Sequence, residues 1–380
     1  MKAPCYISAA GLVTPLGFSV EDTFEMLLQD NTALKKQEDK AVSETPFYAA
    51  MLSEKKINTQ FQQLGNPQQY TKLEKMMLLA MAQTLANSEV KISEKTALLV
   101  ATTKGNIDAL DVNSAFDESR AYLPMLAKKL SDFYNFKTEP VIVSNACVSG
   151  ILAVTVAKRM ISTGLYENAV LVAGDLVTKF TLSGFQSFKA LSAAPCKPYS
   201  KYRSGISLGE AAASVFISKE KHTKNAVEII GAGSCNDANH ISGPSRTGEG
   251  LYKSIAAALK EGQLEANKVD FISAHGTATL YNDEMEAIAF TRQHMQHIPL
   301  HSLKGAFGHT LGASGLLETV IGLEMMHHQT MLPSPGFDEL GVSKPLHILL
   351  QKQKKPIDIL LKTASGFGGC NTAVLFKKVS

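Results

Sequence analysis

The amino-acid sequence predicts an α/β fold in which short strands alternate with helices. Short apolar runs rich in β-branched residues recur between longer stretches of helical character. The chain has 380 residues, of which 45% are hydrophobic and 19% are charged. A chain of this length and composition buries a large core and exceeds one ordinary small domain, so we expect two similar layered halves.

The predicted elements follow the order of the apolar runs. In the first half, strands are predicted within 1–10 and at 96–101, 141–144, 169–173 and 211–217, with helices at 73–85 and 151–160. In the second half, strands are predicted at 227–232, 271–274, 357–362 and 372–377, with a helix at 316–326. The charged segment 219–225 separates the two groups. This places a boundary near residue 224 and gives halves 1–224 and 225–380.

Cys147 lies in the segment SNACVSG, residues 144–150, between a predicted strand and a predicted apolar helix. A helix N-terminus offers partial positive charge and unpaired N–H groups, which favour the thiolate that attacks carbonyl carbon. The alternative is a buried structural cysteine, because cysteine is among the most buried residue types. Reactive residues elsewhere in the chain must decide between these interpretations.

Two histidines supply that evidence. His275 lies in the segment 271–279 and His309 in the segment 300–315, and a short apolar strand is predicted before each. Small residues after His309 lead into the predicted helix 316–326, so we expect His309 near a strand-to-helix turn. A single histidine in such a place is commonly a hydrogen-bonded structural group. Cys147 and both histidines at the carboxyl ends of strands indicate one shared site.

Six segments of the chain resemble, in order and spacing, motifs of the β-ketoacyl-acyl carrier protein synthases of the thiolase superfamily. They are AAGLVTPLG at 9–17, the cysteine segment, YRSGISLGEAAA at 202–213, the two histidine segments and GFGGCN at 366–371. The resemblance spans almost the whole chain. It implies a thiolase-like fold, in which two similar βαβαβαββ halves pack as five layers, α-β-α-β-α.

The resemblance also implies a decarboxylative Claisen condensation. Cys147 would accept an acyl group from a thioester, with its own N–H and that of Phe367 as the oxyanion hole. His275 and His309 would stabilise the enolate formed when malonyl-acyl carrier protein loses carbon dioxide, since a neutral histidine donates an N–H to an enolate oxygen. The enolate then attacks acyl-Cys147, which gives 3-oxoacyl-acyl carrier protein.

Three further charged residues match positions of this family. Lys304 matches the active-site lysine, which would tune the histidines or orient the malonyl carboxylate. Asp283 and Glu318 match structural carboxylates near that lysine, and we expect them to support the site without transferring protons.

The substrate path is predicted from polar and glycine positions. Thr277 and Thr279 would bond the phosphopantetheine arm of the carrier protein. Gly366 and Gly368 would permit tight backbone beside the substrate, and Phe367 would act as a gate over Cys147. The resemblance implies no cofactor apart from the phosphopantetheine that carries the substrates.

The chain departs from the family pattern at three positions. Ser200 stands where relatives often have aspartate, so a supporting ion pair with Arg203 is not expected. Leu280 replaces a frequent proline, and Gly305 replaces the usual serine. These departures suggest a specialised lipid, polyene or polyketide pathway as an alternative to fatty acid synthesis.

Three possible functions remain open at this point. The chain is either a synthase that acts as a homodimer or the catalytic subunit of a heterodimer with a related chain-length partner. A degradative thiolase is the less favoured alternative, with Cys370 as its second cysteine. The presence of both His275 and Lys304 argues against a thiolase, and Cys147 argues against a non-catalytic partner.

Composition also bears on nucleic-acid binding, disulfide formation and membrane insertion. The net charge of +3 and the scattered lysines argue against nucleic-acid binding. The five cysteines include no close CxxC pair, which favours free thiols in a reducing compartment. No apolar run approaches the roughly 20 residues of a membrane-spanning helix. We therefore expect a cytoplasmic protein.

The sequence predicts no metal site. His294 and His297 have i,i+3 spacing, but the neighbouring polar residues indicate a solvated helix end.

Acyl carrier proteins are acidic, so basic residues should surround their docking site. Rough alignment with the family gives the candidates Lys72, Lys75, Lys128 and Lys129.

Overall fold

The computed structural model describes residues 3–88, 90–237 and 243–379. Met1 and Lys2 of the predicted first strand lie outside the described residues. The strands are β1 (Tyr6–Val13), β2 (Lys35–Gln37), β3 (Phe47–Ala50), β4 (Thr96–Ala101), β5 (Val141–Val143), β6 (Asn168–Asp175), β7 (Leu208–Gly209), β8 (Ala211–Ser218), β9 (Val227–Asn236), β10 (Phe271–Ser273), β11 (Leu300–His301), β12 (Thr330–Met331), β13 (Gln353–Lys354), β14 (Ile359–Ser365) and β15 (Cys370–Lys378). The α-helices are α1 (Val20–Leu28), α2 (Glu54–Phe61), α3 (Lys72–Ser88), α4 (Leu123–Tyr134), α5 (Ser149–Ser162), α6 (Lys179–Ser187), α7 (Glu249–Glu261), α8 (Leu280–Arg292), α9 (Lys304–Phe307) and α10 (Ser314–His328).

Ten strands form one mixed sheet in the order β11-β10-β14-β15-β9-β1-β8-β6-β4-β5. Strands β1 and β9 join the two halves of this sheet. The join is narrow, because β1 pairs with β8 along its length but with β9 only through Tyr6 and Ile7. Numbered within its own set of five, each side has the strand order 3-2-4-5-1, in which the first strand lies at the join. The chain therefore builds the same topology twice, and the α/β prediction is confirmed.

Helices α5 and α10 lie in the centre, where both halves of the sheet pack against them. Strand β4 shows how its residues alternate between two cores. Leu99 joins the central cluster, while Leu98 and Val100 pack on the opposite face with residues of α3. On the other half, α7 and α8 cover the outer face of β10, β14 and β15. The layers are therefore α-β-α-β-α, as the thiolase-like prediction requires. The boundary near residue 224 stays a prediction.

Two glycines allow the central helices to meet closely. A Cβ atom at Gly150 of α5 would lie 2.7 Å from the carbonyl oxygen of Gly312, and one at Gly315 of α10 would lie 2.9 Å from the backbone nitrogen of Ile151. Larger side chains would force the helix N-termini apart. This contact holds the turn before α5 beside the turn before α10.

Most predicted elements are present, with shifts of a few residues at their ends. The main difference concerns His309, because the short helix α9 intervenes between β11 and that residue. In the part of the chain that the structure describes, no helix has the length and apolar character needed to cross a membrane.

Candidate active site

Cys147 lies in the tight turn between β5 and α5. The Asn145 N–H donates to the Ser149 hydroxyl (2.8 Å), which in turn donates to the Ala146 carbonyl (2.6 Å). Ala146 has φ of +44°, a left-handed conformation that costs free energy for a residue with a Cβ atom. The surrounding bonds fix this strained turn, and the thiol that follows it is 7% exposed.

A cavity of about 460 Å³ unites the reactive residues. Its walls include Cys147, His275 and His309, which lie far apart in the sequence. The predicted pantetheine residues also line it, and their hydroxyl oxygens, on Thr277 and Thr279, are 2.9 Å apart. The structure thus places the predicted nucleophile, both histidines and a polar entrance around one space.

The glycine segment after β14 forms one wall of this cavity. A Cβ atom at Gly366 would lie 3.1 Å from the backbone nitrogen of Cys147, and Gly368 has φ of +84°. Phe367 packs against Phe185 and Phe188, with ring centroids 5.7 and 5.3 Å away. The predicted gate is therefore an aromatic cluster beside the thiol.

His309 has a defined hydrogen-bonding arrangement. The Leu311 N–H donates to His309 Nδ1 (3.2 Å), so this nitrogen is an acceptor and the neutral ring carries its proton on Nε2. The Ser314 hydroxyl lies 2.9 Å from the same Nδ1. Since α10 begins at Ser314, that helix start orients the imidazole and selects a ring that donates through Nε2.

Glu286 of α8 positions the backbone of His275. Its carboxylate accepts the N–H groups of His275 (2.9 Å) and Gly276 (2.6 Å) and the hydroxyl of Tyr199 (2.9 Å). The rings of His275 and His309 are nearly perpendicular, with centroids 5.2 Å apart. The two imidazoles can therefore approach a single substrate oxygen from different directions.

Both histidines are held in the uncharged form. Burial lowers the pKa of His275 and of His309 well below the ordinary value of 6.5, and the positive charge of Lys304 lowers both further. A neutral imidazole is the form that can donate a hydrogen bond to a developing enolate without first losing a proton.

Lys304 is buried behind the histidines. Its Nζ donates to the His275 carbonyl (2.6 Å) and to Glu318 (2.8 Å). The second carboxylate oxygen of Glu318 accepts from Lys362 (2.5 Å), a residue that the sequence analysis did not single out. Burial opposes ionisation of Glu318, but the two lysines lower its pKa below the ordinary value. These contacts favour tuning of the histidines over the alternative role for Lys304, orientation of the malonyl carboxylate.

The two predicted structural carboxylates have different partners. Asp283 accepts the backbone N–H groups of Thr277 (3.0 Å) and Tyr199 (2.7 Å), so it supports the loop that carries Thr277. It also forms an ion pair with Arg203, at 3.6 Å. Burial raises the pKa of Asp283 to about 7. Ser200 has a different partner, Asp338, to which its hydroxyl donates.

The position of Cys147 before α5 was expected to favour the thiolate, and burial of the thiol acts against this. Burial raises the pKa of its thiol to about 12, and proximity to Cys370 acts in the same direction. Loss of solvation thus opposes the effect expected of the helix N-terminus. A protonated thiol at this position would lose its proton during attack on an acyl donor.

Cys370 has a packing environment. Its Sγ atom lies 3.4 Å from the Phe367 carbonyl oxygen and 3.8 Å from that of Asn145. Burial raises the pKa of this thiol as well. Cys370 thus joins the glycine segment to the cysteine turn, and it does not line the cavity among the described residues.

The predicted docking lysines differ in exposure. Lys72 is largely covered and pairs with Glu210 (2.6 Å), and Lys75 is buried and bonds Asn58 (2.6 Å). The burial of Lys75 on α3 contradicts its prediction as a docking residue, whereas docking at Lys72 stays a prediction. Lys128 is exposed and pairs with Asp132, its neighbour on α4.

Family comparisons agree with this arrangement. The family model for the N-terminal domain of β-ketoacyl synthases matches residues 2–223, and the model for the C-terminal domain matches residues 226–338. The chain belongs to the β-ketoacyl synthase family. This synthase is 26% identical to a putative mitochondrial 3-oxoacyl-acyl-carrier-protein synthase of Schizosaccharomyces pombe, over 98% of each chain. It is 27% identical to 3-oxoacyl-acyl-carrier-protein synthase 2 of Rhizobium meliloti, also over 98% of each.

Solved structures share the fold of this synthase. A ketosynthase in complex with its chain length factor from Xenorhabdus doucetiae has a TM-score of 0.85 at 23% identity, over 99% of this chain and 98% of that one. The ishigamide ketosynthase/chain length factor has a TM-score of 0.89 at 20% identity, over the full length of both chains.

Three site residues were missed by the sequence analysis. Glu286 follows Asp283 by one helical turn, and Lys362 interrupts an apolar strand. Asp175 ends an apolar strand and accepts N–H groups from Thr103 and Gly312. A buried charge is costly unless it is paired, so an ionisable residue inside or at the end of an apolar run was the available signal. Among the described residues, no cluster of three or more His, Cys, Asp or Glu is arranged to hold a metal ion.

Proposed function

We propose that this synthase condenses an acyl group carried on Cys147 with malonyl-acyl carrier protein, releases carbon dioxide and gives 3-oxoacyl-acyl carrier protein. The observation that carries the proposal is the shared cavity, in which the thiol of Cys147 meets two uncharged imidazoles, those of His275 and His309. Family membership adds independent support.

The steps follow from the chemistry of these groups. Attack of Cys147 sulfur on an acyl thioester forms a new thioester and releases the carrier thiol, with the N–H groups of Cys147 and Phe367 as donors to the oxyanion. Loss of carbon dioxide from the malonyl thioester leaves an enolate, whose oxygen accepts from His275 and His309. The enolate carbon bonds the acyl carbon, and the Cys147 thiolate departs.

Mass spectrometry tests this proposal. The intact protein is incubated with acyl-acyl carrier protein, and the acylated residue is mapped before malonyl-acyl carrier protein is added. We expect one acyl group on Cys147, its loss on addition of the malonyl substrate, and a product longer by two carbons. Cys147→Ala should remain unlabelled, and Cys370→Ala should react normally. Acyl mass on Cys370 in the unmodified protein would favour the thiolase alternative.

We infer that the chain acts as a dimer, either with itself or with a related subunit. Strand β5 is an edge strand, and its residues Val141 and Ile142 are only partly buried. Leu110, Val112 and Tyr122 are exposed in the segment between β4 and α4, and α4 packs beside β5. An open strand edge next to exposed apolar side chains favours association.

The choice between the two dimers is tested by measuring the mass of the purified chain alone and after coexpression with its closest related subunit. A dimer of the chain alone that carries out condensation supports the homodimer. Activity that depends on the second subunit supports the heterodimer, as in the ketosynthase and chain length factor complexes that share this fold. An active monomer would contradict both.

A further inference from the structure

Lys362 is a buried cation without a role in the proposed reaction. It lies in the middle of β14, in the apolar sequence ILLKTAS, and its side chain is fully buried. Moving an ammonium group out of water is costly unless other groups compensate for its lost hydration. A lysine at this position therefore requires specific partners.

The partners of Lys362 belong to the backbone behind the active site. Its Nζ donates to the carbonyl of Ser273 (3.1 Å), to that of Ala274 (3.3 Å) and to Glu318 (2.5 Å). Lys304 donates to the next carbonyl, that of His275, and to the other oxygen of Glu318. The two lysines thus hold three consecutive carbonyls that end at the catalytic-site histidine, and they share one carboxylate.

We propose that Lys362 is a positioning residue of the condensation reaction, which acts on His275 and His309 by supplying the second positive charge behind them. With Lys304 and Glu318, it forms a cluster of two cations and one anion, so the cluster keeps a net charge of +1. Without Lys362, the remaining pair would be neutral. This inference rests on the role given above to the two histidines.

The net positive charge of this cluster affects the pKa of both histidines. Burial lowers the pKa of each histidine, and the charges of Lys304 and Lys362 lower both in addition. Burial also lowers the pKa of Lys362, while its contact with Glu318 favours the charged form. Other titratable or charged groups on the surrounding elements include Cys147, Asp175, Cys196, Tyr199, Arg203, Asp283, Glu286, His301 and Cys370. Of these, none donates to or accepts from the Nζ atom of Lys362 within the described ranges.

The test uses charge substitutions that keep side-chain length. Lys362→Met should raise the pKa of both histidines by about one unit, the order expected for one charge in a medium of effective dielectric constant near 20. The pH at which malonyl decarboxylation falls to half its maximum should therefore rise by about one unit, with the rate retained at pH 8. Acyl transfer to Cys147 at pH 8 should persist, which shows that the variant is folded.

A double variant separates charge from packing. Lys362→Met combined with Glu318→Gln restores the net charge of +1 on Lys304, so the half-maximal pH should return toward that of the unmodified enzyme. Lys377→Met, at an exposed position of β15, is the matched control and should leave the profile unchanged. An unmoved profile in Lys362→Met, or a rate loss equal at every pH, would overturn the proposal. So would a double variant that keeps the displaced profile.

A second readout keeps this inference separate from the proposed reaction. Proteins labelled with ¹⁵N-histidine are titrated, and the ring nitrogen signals of His275 and His309 are assigned by substitution. We expect both rings to protonate at a higher pH in Lys362→Met than in the unmodified protein. If no decarboxylation occurs in any variant, the proposed function fails, while the ring titration still decides the role of Lys362. Equal titration in both proteins would refute it.

Discussion

At the scale of single residues, the thiol and the two imidazoles are placed in forms suited to different steps. Burial raises the pKa of the Cys147 thiol to about 12 and so favours its protonated form. The histidines are neutral, and His309 presents its proton on Nε2 because Leu311 bonds the other ring nitrogen. Nucleophilic attack therefore requires proton loss at the sulfur, whereas enolate stabilisation requires none at the rings.

Alkylation of Cys147 tests its protonation state. We expect the rate of modification by iodoacetamide, followed at Cys147 by peptide mass spectrometry, to increase with pH up to at least pH 9.5. The reason is that the reactive thiolate fraction keeps growing below a pKa of about 12. A rate that levels off near neutral pH would show that the N-terminus of α5 stabilises the thiolate after all.

Removal of the imidazoles should separate the two half-reactions. In His275→Ala or His309→Ala, we expect malonyl decarboxylation to fall by about 10²- to 10³-fold, the usual cost of losing one oxyanion donor. Transfer of an acyl group to Cys147, measured by intact mass, should persist in both. Unchanged decarboxylation in both variants would remove the histidines from the mechanism.

At the scale of elements, close backbone contacts position the short helix α9, which carries Lys304. A Cβ atom at Gly305 would lie 1.8 Å from the carbonyl oxygen of Pro335. Two carbonyls of this helix, those of Gly305 and Ala306, also accept from the hydroxyl of Thr32 (3.0 and 3.2 Å). Glycine at position 305, in place of the family's usual serine, therefore leaves room for the backbone of Pro335.

Substitution of Gly305 should consequently be costly. We expect Gly305→Ala to lower the free energy of unfolding by about 1–3 kcal/mol, because overpacking displaces α9 or the Pro335 segment. Gly184→Ala is the matched control, since a Cβ atom in that part of α6 has no neighbour within 4 Å. It should be neutral or slightly stabilising. Chemical denaturation of both variants measures the difference, and equal stability would contradict the close contact at Gly305.

The contrast between α9 and the longer elements shows what sequence patterns could predict. Apolar runs long enough to fill a sheet or the central layer, such as 96–101 and 316–326, predicted β4 and α10 well. Helix α9 has only four residues, and its position depends on contacts with distant backbone, which no local pattern encodes. The same limit explains Glu286 and Lys362, whose partners are carbonyl and N–H groups of other elements.

At the scale of the whole molecule, the candidate site draws on both halves. Cys147 comes from the first set of strands and helices, and the histidines and lysines come from the second. Motif order and spacing predicted that these residues share a site, but the correction at Lys75 required knowledge of which side chains α3 buries. The resemblance thus predicted which residues line one cavity better than it predicted which lysines are exposed.

The remaining docking candidates are tested by charge reversal. We expect Lys128→Glu to raise the KM for carrier-bound substrate several-fold at low salt, with little effect at high salt, because exposed charges act mainly on encounter rate. Turnover of a small pantetheine thioester should stay nearly constant. Lys377→Glu, on the other half, provides the control. Equal changes for both substrates would place the carrier elsewhere.

The repeated 3-2-4-5-1 strand order has a consequence for the ancestry of such a site. Duplication of a half-length chain would set two equivalent turns face to face across the central helices, related by approximate twofold symmetry. One copy could then supply the nucleophile and the other the hydrogen-bond donors, while both keep the same fold. The two related halves would then contribute different groups to one site, and they come into close contact at Gly150 and Gly315 of the central helices.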